Sequence, residues 1–96
     1  MKILFVISNP KTSEVLKGIS EACSRAKQEY LCFFTGDGVQ LLQDEKIISV
    51  IQTAERNVAC EHSWEKHFST QELPIEKGSQ TDHSGMIAMV DRVVSL

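Results

Sequence analysis

One stretch of the sequence joins an apolar run to a polar one at a cysteine: RNVACEHSWEKHF, residues 56–68. The apolar part, Arg56 to Cys60, has the length and composition of a buried strand. The part from Glu61 to Phe68 is polar and fits a short helix or an irregular turn. We therefore predict that Cys60 lies at the carboxyl end of a strand and at the amino end of a helix.

The predicted position of Cys60 favours its ionised form. The first N–H groups of a helix have no intrahelical acceptors, and they carry the positive end of the helix dipole. Both stabilise an anion, so a thiol there loses its proton more readily. Glu61 would oppose the thiolate by like-charge repulsion, whereas His62 would favour it if protonated or hydrogen-bonded. The alternative is that Cys60 is a small buried residue, as free cysteines often are.

Strand patterns recur on both sides of this stretch. Turn residues or proline follow the first two predicted strands. Pro74 weakens the fourth predicted strand, because proline cannot donate a backbone hydrogen bond. Asp37-Gly38 is also compatible with a β-hairpin, although a loop leading to another helix fits better. The predicted strands cover residues 2–8, 30–35, 56–60, 73–77 and 91–96.

Helical patterns separate these strands. Apolar residues from Val15 to Ala26 recur on one helical face, with Thr12 or Ser13 as the cap. A second helix begins at Asp44 or Glu45. Asp82 is the predicted cap of a last, short helix that carries Met86, Met89 and Val90, and His83 is placed in the loop before it.

Alternating strands and helices predict a three-layer α/β/α fold with a mainly parallel sheet of about five strands in a single domain, residues 1–96. Open α/β sheets place their sites at the carboxyl ends of the strands. The loops predicted there supply the candidate wall of a pocket around Cys60. Its candidate residues are Asn9, Gly36, Asp37, Gly38 and His62.

Composition excludes several classes of function. The net charge is −3 and the ten basic residues are scattered, so charge-driven nucleic-acid binding is disfavoured. The apolar core of the first eight residues, Ile3 to Ile7, is only five residues long. It is shorter than the core of a signal peptide and fits a buried first strand. No run approaches the ~20 apolar residues of a membrane span. We expect a cytoplasmic protein.

The other chemical groups give weaker signals. The three cysteines show no metal-finger or redox-pair spacing, and Cys23 and Cys32 fall within apolar patterns that predict core positions. Cys60, His62 and His67 are possible zinc ligands by type, but histidines five apart do not share a helical face and no fourth ligand is evident. Neither a P-loop nor a dinucleotide fingerprint is present. We therefore expect no metal and no cofactor.

Three stretches of the chain and the position of Cys60 resemble the DsrE/DsrF/TusD-type sulfur-relay family. The most specific is Phe33 to Val39, FFTGDGV, which is similar to the family's second strand and the turn after it. Residues 2–10 resemble the first strand and loop, and residues 90–96 the closing strand. Cys60 falls where the sulfur-carrying members keep their cysteine. The chain is shorter than typical members, mostly between Cys60 and the last strand, and residues 62–67 are more polar than expected after that cysteine.

The resemblance implies a function for Cys60. It implies a cytoplasmic sulfur carrier or sulfurtransferase in which Cys60 receives sulfane sulfur as a persulfide and passes it to a partner thiol. It also implies sulfur-donor and sulfur-acceptor proteins as partners, and a homo-oligomer (trimer or hexamer) or assembly with paralogous subunits. The alternative is a non-catalytic subunit or interaction module with an inert Cys60, in which an exposed Trp64 and Phe68 anchor a partner.

Overall fold

A computed structural model that describes residues 1–96 shows five strands and four α-helices in alternation. Two 3₁₀ segments, Gly36–Gln43 and Ile51–Thr53, flank the second helix. The alternation predicted from the sequence is confirmed. In chain order the elements are β1 Lys2–Ile7, α1 Ser13–Arg25, β2 Glu29–Phe34, α2 Glu45–Val50, β3 Arg56–Cys60, α3 Glu61–Phe68, β4 Glu76–Gly78, α4 Gln80–Met89 and β5 Arg92–Ser95.

The strands form one parallel sheet in the order β4-β3-β2-β1-β5. From β1 to β4 each connection moves one strand in the same direction, whereas the connection through α4 crosses back to place β5 beside β1. Because such crossovers are right-handed, α1, α2 and α3 cover one face and α4 covers the other. The fold is therefore a three-layer α/β/α sandwich, as the sequence predicts.

Two apolar clusters fill the space between these layers, because successive strand residues point to opposite faces of the sheet. The larger cluster packs residues such as Phe5 and Phe34 against Leu16 of α1, Ile47 of α2 and Trp64 of α3. Burying each large apolar side chain contributes about 1.5–3 kcal/mol. The smaller cluster consists of Leu4, Leu31, Phe33, Val58, Cys60 and Met86.

The fourth strand is shifted relative to its predicted range, 73–77. It is Glu76–Gly78, and it pairs with the end of β3 so that Gly78 lies opposite Cys60. Pro74 lacks the N–H that a strand position would use. Leu73 is instead buried against the core in the loop before the strand.

The stretch Gly36-Asp37-Gly38 begins a 3₁₀ helix rather than a simple loop. The hairpin alternative is wrong because β2 pairs in parallel with both β1 and β3. Gly36 has a φ of 54°, a left-handed conformation that glycine adopts without strain. Gly38 lies against the end of β1, where a Cβ atom would stand 2.2 Å from the carbonyl oxygen of Ile7.

The last helix begins earlier than predicted. Ser79 is its N-cap, and the Ser79 hydroxyl and the Asp82 carboxylate form a capping box with each other's backbone N–H groups. Asp82 is therefore the third residue of the helix and not its cap, and His83 lies within α4 instead of in a loop. None of the four α-helices has the length and apolar character that crossing a bilayer requires.

Candidate functional site

Cys60 is the last residue of β3 and the N-cap of α3, as the sequence predicts. Its side chain points to the face of the sheet that α4 covers, beside Val58 and Met86. The residue is 6% exposed, so the sulfur lies just beneath the surface. Its backbone angles, φ −62° and ψ 117°, are those of an extended residue at the junction where the chain turns into the helix.

Four hydrogen-bond donors act on the ionised form of Cys60. Burial alone raises the pKa of a thiol, but the Ser63 hydroxyl, the N–H groups of Ser63 and His62, and the Thr35 hydroxyl together hold the pKa of Cys60 below its ordinary value. The Cys60 side chain forms no capping hydrogen bond at the start of α3. Hydrogen bonds to an ionised group are stronger than those to a neutral one, so nearby donors favour the thiolate over the thiol.

Ser63 is itself held in place by the neighbouring strand end. Its side chain is buried, and its Oγ accepts a hydrogen bond of 2.9 Å from the backbone N–H of Gly36. Thr35 lies between β2 and Gly36, and register places it next to Cys60 across the sheet. The two hydroxyls near the sulfur thus come from α3 and from the end of β2.

The sheet topology opens a crevice at Cys60. After β3 the chain continues into α3 on one face, and after β4 it continues into α4 on the other face. Adjacent parallel strands whose connections leave in opposite directions form a switch point, where open α/β sheets usually bind ligands. A crevice of about 330 Å³ lies there, and Cys60, Glu61, His62, Glu65, Gly78, Ser79 and Gln80 line it.

The predicted pocket wall is only partly assembled around Cys60. His62 lines the crevice, whereas Gly36 and Asp37 line a separate cleft of about 120 Å³ on the other side of His62. Gly38 borders neither space. It is buried against β1, where the absence of a side chain lets the backbone of the 3₁₀ segment approach the backbone of β1. Asn9 does not reach the site either, since its side chain accepts a hydrogen bond from the Lys11 N–H in its own loop.

Asp37 and His67 form a pair beside the site. His67 Nε2 lies 2.9 Å from Asp37 Oδ1, and His67 Nδ1 lies 3.4 Å from the Gln40 amide nitrogen. A neutral imidazole that donates from Nε2 satisfies both contacts. The Asp37 carboxylate therefore ties the 3₁₀ segment to α3.

The other two cysteines and His83 lie outside the crevice at Cys60. Cys23 and Cys32 are buried core residues, as predicted, and burial raises the pKa of both thiols. Cys60, His62 and His67 do not converge on a metal position. His83 stacks on Phe33 at a centroid distance of 4.5 Å.

Trp64 is not the exposed anchor that the interaction-module alternative requires. It is 3% exposed, packs against Phe68 and donates from Nε1 to the Gln71 carbonyl at 2.8 Å. One edge of Trp64 borders a groove of about 460 Å³ between α3 and the segment that leads to β4. The polar sequence of α3 conceals this burial, because the 3₁₀ segment and residues 69–73 cover the helix.

Comparison with known proteins leaves the chain without an assigned family. No family model matches the sequence, and no curated protein matches it. The fold and the site define an α/β/α protein with a cysteine at a switch point of its parallel sheet.

Replacing Ser63 tests the environment of the sulfur. Ser63→Ala removes a hydroxyl donor to the thiolate, so we expect the pKa of Cys60 to rise. A hydrogen bond to a charged group contributes about 1.5 kcal/mol, which corresponds to a roughly tenfold smaller fraction of thiolate. Because a more basic thiolate is also more nucleophilic, we expect alkylation of Cys60 at neutral pH to slow about threefold. The rate is followed with iodoacetamide and peptide mapping. Ser49→Ala, at an exposed position of α2, is the control. An unchanged rate in Ser63→Ala would show that the hydroxyl does not act on the sulfur.

Proposed function

We propose that this protein is a small sulfur carrier or sulfurtransferase that holds sulfane sulfur as a persulfide on Cys60. The observation that carries the proposal is the setting of the Cys60 sulfur. Cys60 lines a switch-point crevice at the start of a helix, with two hydroxyls and two N–H groups that favour its anion. Thiolate character and access are what persulfide chemistry requires of a cysteine.

The reaction has two exchanges that balance without an added oxidant or reductant. In the first, the Cys60 thiolate attacks the outer sulfur of a donor persulfide, R–S–SH. The bond between the two donor sulfurs breaks, Cys60–S–SH forms, and the donor leaves as its thiolate. In the second, an acceptor thiolate attacks the outer sulfur on Cys60, which regenerates the Cys60 thiolate. Hydrogen-bond donors that stabilise this thiolate also make it a better leaving group in the second exchange.

The resemblance to the DsrE/DsrF/TusD-type family supports the same proposal. The quoted stretches that carry it fall on β1, on β2 with the 3₁₀ segment, and on β5, with Cys60 as the last residue of β3. Under the proposal the protein works in the cytoplasm with sulfur-donor and sulfur-acceptor proteins. The proposal includes a trimer, a hexamer or an assembly with paralogous subunits. Exposed apolar side chains on α4 and β5, Ile87, Met89 and Val93, are compatible with a subunit contact.

Intact-mass analysis tests the proposed function. The reduced protein is incubated with cysteamine persulfide, a cationic donor, freed of small molecules and measured without reductant. We expect the mass to increase by one sulfur atom, and dithiothreitol to remove that increase. A mass that does not change with a competent donor would contradict the proposal.

The low exposure of Cys60 favours one other candidate, a non-catalytic module in which the cysteine only packs against Val58 and Met86. The two candidates differ in the access of reagents to the sulfur. An inert Cys60 would be protected from alkylation to the same degree as Cys23 and Cys32 in the folded protein.

A further inference from the structure

Two depressions in the surface meet beside Cys60. The crevice that contains Cys60 measures about 330 Å³, and the groove along α3 measures about 460 Å³. Glu61 and Glu65 line both, so these side chains mark where one passes into the other. Each volume lies within the range of sites that bind drug-sized ligands. Together they provide room for several residues of an extended chain.

The shared boundary of the two depressions is acidic. Glu61 and Glu65 are one helical turn apart on α3 and are both exposed. Neither carboxylate forms an ion pair within the chain. Lys77, in the groove, is the one lysine or arginine that lines either depression. Besides the two glutamates and Cys60, the crevice has one more titratable side chain, His62. An approaching group therefore meets two unpaired negative charges close to the sulfur.

The sheet edge beside the groove suits an extended partner. β4 pairs only with β3, so the backbone groups on its outer side have no strand partner. Lys77 of β4 lines the groove, which places this free edge along one of its walls. Exposed strand edges bind extended segments through main-chain hydrogen bonds, with side chains supplying specificity.

We propose that Glu61 and Glu65 select a positively charged exchange partner for Cys60. The partner is an extended segment of another protein in which lysine or arginine flanks the reacting cysteine. Its cysteine lies at Cys60, and its basic side chains lie against the two carboxylates. Small anionic donors such as thiosulfate are disfavoured, because they must approach the same carboxylates. This inference rests on the proposed function, of which it names the partner's chemistry.

Peptide binding tests the charge selection without any sulfur transfer. Two peptides of equal length are compared, each with serine in place of the reacting cysteine, one with flanking lysines and one with flanking glutamates. Trp64 is the single tryptophan and borders the groove, so its fluorescence reports occupancy. We expect the lysine peptide to bind about tenfold more tightly at low ionic strength, and the difference to shrink at high salt.

A charge-removing variant assigns the effect to the groove. Glu65→Gln is expected to weaken binding of the lysine peptide about threefold, as the loss of one exposed charge pair does. Glu21→Gln removes the same charge from an exposed position of α1 and is expected to leave binding unchanged. Equal binding of both peptides, tighter binding of the glutamate peptide, or equal effects of the two variants would overturn the inference.

The outcomes separate this inference from the proposed function. A protein that accepts sulfur but binds both peptides equally contradicts the charge selection alone. A protein that binds the lysine peptide selectively but accepts no sulfur contradicts the relay and leaves the acidic groove as a binding site. Efficient loading of Cys60 from thiosulfate, at a rate that matches loading from a cationic persulfide, would also contradict the charge selection.

Discussion

Cys60→Ser is expected to lose all sulfur uptake from a persulfide donor. A serine hydroxyl is not ionised at neutral pH and forms no persulfide, so the effect is a loss to background and not a reduced rate. The fold should persist, because residue 60 is the N-cap of α3 and serine is among the favoured N-cap residues. Intact-mass analysis after incubation with cysteamine persulfide, a cationic donor, measures the uptake, and circular dichroism checks the fold.

The same substitution at another cysteine is the matched control. Cys23→Ser changes a buried thiol whose pKa is raised by burial, so it should retain the full gain of one sulfur atom. Cys32 lies deeper still, with no exposed surface, and peptide mapping should find no sulfur on it. Equal uptake by wild-type protein and Cys60→Ser would mean that the sulfur resides elsewhere.

Gly38→Ala is expected to destabilise the protein by about 3–5 kcal/mol. The added methyl group would stand 2.2 Å from the Ile7 carbonyl oxygen and 2.9 Å from the Ser8 Cα. Both are backbone atoms at the end of β1, an interior strand of the sheet, so neither can move away without disturbing strand pairing. Since domains are stable by only about 5–15 kcal/mol, urea unfolding should show a large loss of the free energy of unfolding.

Gly18→Ala is the matched control for this collision. A Cβ atom at Gly18 meets nothing within 4 Å, and the residue lies inside α1. Alanine has the higher helix propensity, so this variant should gain up to about 1 kcal/mol. If Gly38→Ala kept wild-type stability while Gly18→Ala behaved as expected, the close approach of the 3₁₀ segment to β1 would be wrong.

Local patterns in the sequence are enough to predict the first three strands and the junction at Cys60. Lys2 to Ile7 and the residues before Gly36 are short apolar runs bounded by turn residues, which is a signal contained in neighbouring positions. The fourth strand was misplaced because Leu73 supplies a strand-like apolar residue but is buried in a loop. Its position depends on pairing with β3, which no local pattern reveals.

The surroundings of Cys60 depend on contacts between elements and were harder to predict. Ser63 follows Cys60 by three residues, a spacing that places it in the first turn of a helix and was available as a signal. Thr35 belongs to another strand, so its contact with the sulfur required the knowledge that β2 and β3 are neighbours. The crevice likewise depends on α3 and α4 leaving the sheet on opposite faces. That arrangement follows from the strand order, which the sequence does not reveal.

The pH dependence of Cys60 alkylation tests most directly whether this sulfur is a reachable thiolate. The folded protein is treated with limiting iodoacetamide across a pH series, and the extent of modification is mapped for each cysteine. We predict that Cys60 reacts first and that its midpoint lies below the value of an ordinary thiol, about 8.5, while Cys23 and Cys32 stay protected. A midpoint at or above that of an ordinary thiol, or protection equal to that of the two core cysteines, would contradict the account.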